Sequence, residues 1–232
     1  KNWCNMNWQD TGYLLSKIKY SENGVIADFF TESRGKVSGL IFGATSKKIK
    51  NYLLIGNRFH LNYSSKTDNK IGHFKIEIDK ITTPNFLDHE QKLSCIIYSV
   101  SLIKILSADN QKNLNIFNLI NKLYILLNSS DWIQKFIIWE LDILKNFGYE
   151  LNIIDYAMKE KKDGKNIYYL KTDKNRIIPN FLVNSKDYFA DNKDLIEGLN
   201  LVGDFLKKSI FIPNNINFPN SRIDFLKSID LN

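Results

Sequence analysis

The clearest order in the chain is an alternation of apolar and polar side chains that runs through its first third and then stops. Phe59, Leu61 and Tyr63 alternate with Arg58, His60 and Asn62. Phe74, Ile76 and Ile78 alternate with His73, Lys75, Glu77 and Asp79. A period of two puts each set on one face of a strand, so both segments read as half-buried strands. Three earlier strands are predicted with a weaker period. In the first, Leu14, Ile18 and Tyr20 alternate with Leu15, Lys17 and Lys19; in the second, Val25, Ala27 and Phe29 alternate with Asp28, Phe30 and Glu32. The third runs from Lys36 to Ala44 and contains Gly39 and Gly43, which mark a bulge or a tight barrel bend. Turns at Ser21-Glu22-Asn23-Gly24 and Ser33-Arg34-Gly35 separate the first three.

Five short strands with turns between them suit a small closed barrel. The OB fold is the common five-stranded version, and an SH3-like barrel fits the same pattern. At Pro84 the period changes to that of a helix. Apolar stripes predict helices from Leu87 to Leu106, from Asn113 to Leu127 and from Asp131 to Gly148, with Asp131 as N-cap and Gly148 as C′ residue. Further helices are predicted from Lys193 to Phe211 and from Asn220 to Leu231. Residues 149–180 read as polar and irregular, with a charged turn from Lys159 to Lys165 around Gly164 and one short strand at Ile167–Leu170. The expected organisation is α+β: a barrel over residues 6–83, then a helical domain over residues 84–232 with the insertion 149–180.

Charge sharpens this picture. Residues 1–83 hold 13 Lys and Arg against 7 Asp and Glu, a net of +6 in a chain whose total is +7. The excess positive charge therefore sits on the predicted barrel, which favours a polyanionic partner. Two cysteines, Cys4 and Cys95, are too few for a disulfide framework or a cysteine-built metal site, and point to a reducing, cytoplasmic setting. No apolar run is long enough to span a membrane; the nearest, Cys95 to Leu106, is broken by Ser99, Ser101 and Lys104. No signal peptide is visible, and Met6 is a candidate start.

Signs of catalysis are sparse. His60, His73 and His89 fall in three separate elements, and no HExxH, Walker glycine loop or GxSxG elbow is present. No catalytic residue, metal or cofactor is therefore expected. The stronger constellation is cationic: Lys17 and Lys19 on one strand face, Arg34 and Lys36 around a turn, Lys47, Lys48 and Lys50 in one loop, and Arg58 on the outer face of its strand. Cations spaced over a barrel can follow a phosphate backbone, and aromatic side chains can stack on bases; Phe30, Phe42, Tyr52 and Tyr63 are the candidates. The competing readings are a protein-binding adaptor whose charge only aids solubility, and a hydrolase or nuclease, for which the acids Asp10, Glu22, Asp28 and Glu32 form no cluster by pattern.

Several segments resemble bacterial RecO proteins. Met6-Asn7-Trp8-Gln9-Asp10-Thr11-Gly12-Tyr13-Leu14-Leu15 is similar to their opening strand, and Ser21-Glu22-Asn23 to their first turn. Phe30-Thr31-Glu32-Ser33-Arg34-Gly35-Lys36 matches their Phe-Thr-Glu-x-x-Gly-(Arg/Lys) run, the most specific motif here. Gly43-Ala44-Thr45-Ser46-Lys47-Lys48 is similar to a Lys-Gly-Ala-Arg-Ser-(Lys/Arg) segment, with Phe42 replacing a basic residue. The helix end Trp139-Glu140-Leu141-Asp142-Ile143-Leu144-Lys145-Asn146-Phe147-Gly148-Tyr149 also fits. Many RecO proteins carry a four-cysteine zinc ribbon after that helix. Here Tyr156 stands near its first cysteine position, so a degenerate, zinc-free ribbon-like insertion is expected.

The resemblance implies an OB-fold barrel and a non-enzymatic, nucleoid-associated mediator of DNA repair and homologous recombination in the RecF pathway. Such a protein binds ssDNA and dsDNA, anneals complementary strands, and works with RecR to help RecA onto DNA coated with single-strand-binding protein (SSB). The acidic SSB C-terminal tail would dock on the helical domain near one of Lys92, Lys104, Lys207 or Lys208.

Overall fold

The computed structural model describes residues 6–66, 71–162, 165–184 and 189–229; Cys4, the turn at Gly164 and the predicted helix end at Leu231 lie outside the described residues. The N-terminal strands are β1 (Met6–Ser21), β2 (Gly24–Thr31), β3 (Gly35–Phe42), β4 (Arg58–Ser65) and β5 (Gly72–Lys80), with a short helix α1 (Lys47–Lys50) between β3 and β4. β1 serves two partners: Met6 to Tyr13 pair with β4, and Gly12 to Ser21 pair with β2. β3 skips β4 and pairs in parallel with β5, closing the barrel in the order β1-β2-β3-β5-β4. A meander would pair only neighbours, all antiparallel. The skipped strand and the helix in the β3–β4 connection make this an OB fold rather than an SH3-like barrel.

The interior is filled by Leu14, Ala27, Phe29, Val37, Ile41, Leu53, Phe59, Leu61 and Phe74. Gly39 is bare because the Phe74 ring occupies the space where its Cβ would stand, at 2.5 Å. β1 departs from the sequence expectation. Its register slips between Leu14 and Ser16, and one extra residue reverses the facing of everything after it. Leu14 therefore faces the core, while Ile18 and Tyr20, expected on the same side, point outward and are each 61% exposed.

Part of the barrel's outer face is covered by helices. After a 3-10 turn at Thr83–Phe86 come α2 (Glu90–Leu106) and α3 (Leu114–Leu126). The Tyr13 ring lies 5.3 Å from that of Phe117, and its hydroxyl donates to Asn121. Lys104 of α2 reaches Asp28 at 2.8 Å and donates to Ser16 at 2.7 Å. The C-terminal helix α8 (Asn220–Ser228) seats on α2, where Arg222 donates to the Tyr98 hydroxyl at 2.6 Å and Phe225 stacks on the Tyr98 ring.

Asp28 yields a pH prediction. Burial alone pushes its carboxyl up, but hydrogen bonds from Lys104, Ser16 and Ser38, with the Lys104 charge, outweigh that and leave it below its ordinary value. A depressed carboxyl contributes stability that is present above the unfolded pKa, about 3.9, and lost as pH falls through the folded one. Urea unfolding at pH 5.5 and at pH 3 is expected to show a smaller acid loss for Asp28→Asn than for the wild type. Equal losses would contradict this assignment.

The chain forms two compact units whose boundary falls inside α3: one ends at Asn121 and takes in Pro219–Ser228, the other runs from Lys122 to Phe218. The second unit contains α4 (Trp132–Asn146), α5 (Ile153–Tyr156), β6 (Ala157–Lys162), β7 (Lys165–Leu170), β8 (Asp173–Ile178), α6 (Asn180–Val183) and α7 (Asn192–Phe205), which continues as a π-helical segment, Leu206–Phe211. Gly148 follows α4 with φ +86°, as expected of a C′ residue. Asp131 stands at the N-cap, but its carboxylate pairs with Lys135 at 2.7 Å instead of capping the backbone.

Residues 149–180 are not irregular. They carry a three-stranded antiparallel sheet, β6-β7-β8, packed through Tyr168 and Ile178 against Ile153 and Leu201. The charged β6 lacks any apolar alternation, which hides it in the sequence. Among the described residues, no helix is long and apolar enough to cross a membrane.

Candidate nucleic-acid interface

The eight cations singled out in the sequence fall into three settings. Five of them belong to one end of the barrel. α1 is a single turn capped by Ser46, whose hydroxyl accepts from the Ile49 N–H. Ile49 packs toward the barrel interior, so Lys47, Lys48 and Lys50 are left in solvent. The loop before α1 is pinned to the β1–β2 turn: Gly43 N–H donates to the Asn23 carbonyl at 2.7 Å and the Thr45 hydroxyl donates to the Asn23 side chain at 2.7 Å. That brings the loop lysines to the end of β1 where Lys17 and Lys19 stand.

Lys17 donates to the Leu53 carbonyl, just beyond α1. Its ammonium is held below the ordinary lysine value, first by desolvation and then by the charge of Lys50. Two ammonium groups that disfavour one another in this way are relieved by an anion placed between or above them. Among the described residues, none of Lys17, Lys19, Lys47, Lys48 and Lys50 takes part in an ion pair.

Arg34 is set apart, in the β2–β3 turn. Its guanidinium lies 4.9 Å from the centre of the Trp8 ring, and Trp8 stacks on Tyr63 at 4.7 Å. Cation and rings thus form a stack beside the strand ends, with Tyr63 also against Phe74. Asn7, Trp8, Asn62, Tyr63 and Lys75 line a shallow groove of about 480 Å³ there.

Lys36 and Arg58 are held inside the fold. Lys36 pairs with Asp109 at 3.1 Å and donates to the Lys104 carbonyl at 3.4 Å. Arg58 pairs with Asp79, donates to Asn121 at 3.2 Å and lies 5.9 Å from the Tyr13 ring centre. In the sequence these two look like the other cations, because their acids are far away along the chain.

The aromatic candidates divide in the same way. Phe30 is 1% exposed, Tyr52 packs on the barrel core and Tyr63 is taken up by Trp8; Phe42 alone of the four is exposed, at 62%. Tyr20 was missed. The break in alternation at Tyr13-Leu14-Leu15 marks the place: the register slips there, between Leu14 and Ser16, while Tyr13 is covered by Phe117 of α3 and Leu14 lies in the barrel core. Among the described residues no three His, Cys, Asp or Glu side chains stand close enough together to hold a metal ion.

Comparison with known proteins agrees with this architecture. A family model described as "Recombination protein O N terminal" matches residues 6–78, and one described as "Recombination protein O C terminal" matches residues 91–213. The chain is similar to a protein named DNA repair protein RecO from Ehrlichia chaffeensis, 27% identical over 97% of this chain and 99% of that one. Proteins of the same name from Hyphomonas neptunium and Rhodospirillum centenum are 25% and 22% identical, over 97% and 95% of this chain and 98% and 94% of theirs.

Proposed function

Because the chain belongs to the RecO family of DNA repair and recombination proteins, we propose that it is a recombination mediator acting through the basic end of its OB barrel. In this reading, residues 6–83 are the DNA-binding module. Lys17, Lys19, Lys47, Lys48 and Lys50 neutralise the phosphates of single- and double-stranded DNA, and Arg34 adds a contact at the other strand ends. Lys36 and Arg58 act indirectly, by holding the barrel against α2 and α3. The observation that carries the reading is the grouping of five lysines without ion pairs among the described residues. Uncompensated cations on a rigid barrel attract polyanions and release their counterions on binding.

Annealing needs two backbones neutralised together, and no covalent step. The protein would bring complementary strands together, act with RecR, and help RecA replace SSB on single-stranded DNA. For the acidic SSB tail, the second unit offers a cavity of about 410 Å³ walled by Ile153, Leu170, Leu201 and Phe205, with Arg176 and Lys208 in its lining. Arg176 is already paired with Asp204 and Glu197. Lys208, from the π-helical segment, is the cation left for the tail's carboxylates.

Charge removal tests the DNA site. Replacing Lys47, Lys48 and Lys50 together by glutamine is expected to weaken duplex binding roughly tenfold or more. The slope of log K against log salt should become shallower by about 0.9 for each phosphate that is no longer neutralised. Replacing Lys159, Lys161 and Lys162 in the same way is expected to do less. Equal or reversed losses in a fluorescence anisotropy titration would overturn the assignment.

A further inference from the structure

The outer face of the barrel has a covered half and an uncovered half. Near α2 the face is closed by Lys104, which reaches across to Asp28 and Ser16. Beyond that point the pairing register puts Ile18 beside Ile26, Ile26 beside Leu40, and Leu40 beside His73, one residue from each of four strands. Directly paired residues point to the same side of a sheet, so these four form a continuous line. Tyr20 and Phe42 extend it at the β1 and β3 ends, and the Phe42 ring lies 6.2 Å from that of His73. Ile18, Tyr20 and Phe42 are 61%, 61% and 62% exposed. Three large apolar side chains grouped in water on one face mark a surface that has an occupant.

The charges around the row indicate which kind. Lys75 follows His73 at the next outward position of β5, whereas Lys19, between Ile18 and Tyr20 along β1, belongs to the opposite face, where its partner Val25 packs on the barrel interior. Lys47 and Lys48 come five and six residues after Phe42, in the loop pinned to the β1–β2 turn. The carboxylates on the row's strands and that turn are Asp10, Glu22, Asp28, Glu77 and Asp79. Asp28 is taken up by Lys104, Asp79 by Arg58 and Asp10 by Ser33, which leaves Glu22 and Glu77. Apolar and aromatic groups flanked by cations fit unpaired bases whose phosphates run past those cations. Every base has a π-face, so such a row holds a strand without reading its sequence.

We propose that this row is a base-stacking platform by which the barrel distinguishes single-stranded from duplex nucleic acid, with Tyr20 and Phe42 as the specificity-determining residues. The proposal rests on the DNA-binding reading above and adds its selectivity. A duplex hides its base faces and can meet only the lysines. A single strand gains the stacking contacts as well. A strand held in this way must lift its bases from the row to pair with a complement, so the platform releases a strand as it anneals.

The test uses the full chain carrying Tyr20→Ala and Phe42→Ala together. Binding is followed by anisotropy on an oligothymidylate and on a mixed-sequence duplex of equal length. Both side chains are exposed, and a circular dichroism melt reports whether the fold is kept. The expected result is a roughly tenfold or greater loss on the single strand, in line with the loss of one or two stacked bases, and less than a twofold change on the duplex. A second variant, Phe42→Trp, is expected to keep single-strand affinity and to show indole quenching when the oligothymidylate is added. Equal losses on both substrates, or no loss on either, would overturn the platform while leaving the basic site in place. Failure of the wild type to bind either DNA would overturn the DNA-binding reading, and the platform with it.

Discussion

Gly35→Ala is expected to destabilise the barrel unit by about 3 kcal/mol or more. Two independent constraints meet at this residue. Its φ of +71° lies in the left-handed region, which costs an L-residue with a Cβ about 1–2 kcal/mol. A Cβ built there would also overlap the Gln111 carbonyl oxygen and approach its carbon to 2.6 Å. That carbonyl cannot retreat freely. The neighbouring segment pairs with β3 through Asp109 and through the Asn110 N–H, which donates to the Lys36 carbonyl at 2.9 Å. Moving it would also disturb the Lys36–Asp109 ion pair. Gly148 is the natural control, because it has φ +86° and nothing within 4 Å of the place a Cβ would take. Gly148→Ala should lose only about 1 kcal/mol, the conformational part alone. Urea unfolding of both variants checks the contrast, and equal losses would show that the approach of Gln111 is not what demands glycine.

The second large effect is expected at Asn57. Its side chain is fully buried, and its oxygen accepts from the backbone N–H groups of Thr82 and Thr83 at 3.0 and 3.1 Å. Its amide nitrogen donates to the Tyr52 carbonyl at 2.9 Å. One side chain thus joins the loop after α1, the start of β4 and the chain leaving β5. Asn57→Ala leaves two buried donors and one acceptor without this partner, at about 1–3 kcal/mol for each group that stays unsatisfied. A total loss on the order of 3–5 kcal/mol is expected in urea unfolding. Asn57→Asp provides a signed check. The charged carboxylate keeps the acceptors but opposes the Tyr52 carbonyl, whereas the protonated acid can donate to it. Stability of this variant relative to the wild type should therefore rise as pH falls toward 5, because burial raises a carboxyl's pKa. A flat difference from pH 7 to 5 would contradict the role assigned to the amide.

The sequence carried the barrel well where alternation was undisturbed. Phe59, Leu61 and Phe74 face the core as their spacing predicts. It carried less where one residue changes the facing of many, as at the slip between Leu14 and Ser16. The identity of the barrel was also hidden in part, because the parallel β3–β5 pairing joins Gly39 to Gly72, 33 positions apart, and leaves no local mark. The candidate site shows the same limit. Lys47 and Arg58 are equally basic as letters, but Arg58 meets Asp79 and Lys47 meets water. Asn57 gives no signal at all in the sequence, since a lone asparagine beside a glycine reads as a turn.

The most direct test of the central claim is strand annealing. Two complementary oligonucleotides, each coated with the cognate SSB, are mixed with and without this chain at low and at high salt, with neither ATP nor metal present. The account predicts acceleration by the wild type, strong at low salt, weakened at high salt, and reduced when Lys47, Lys48 and Lys50 are all replaced by glutamine. A folded protein that neither binds DNA nor accelerates annealing would contradict it, leaving the OB fold as a scaffold for protein partners alone.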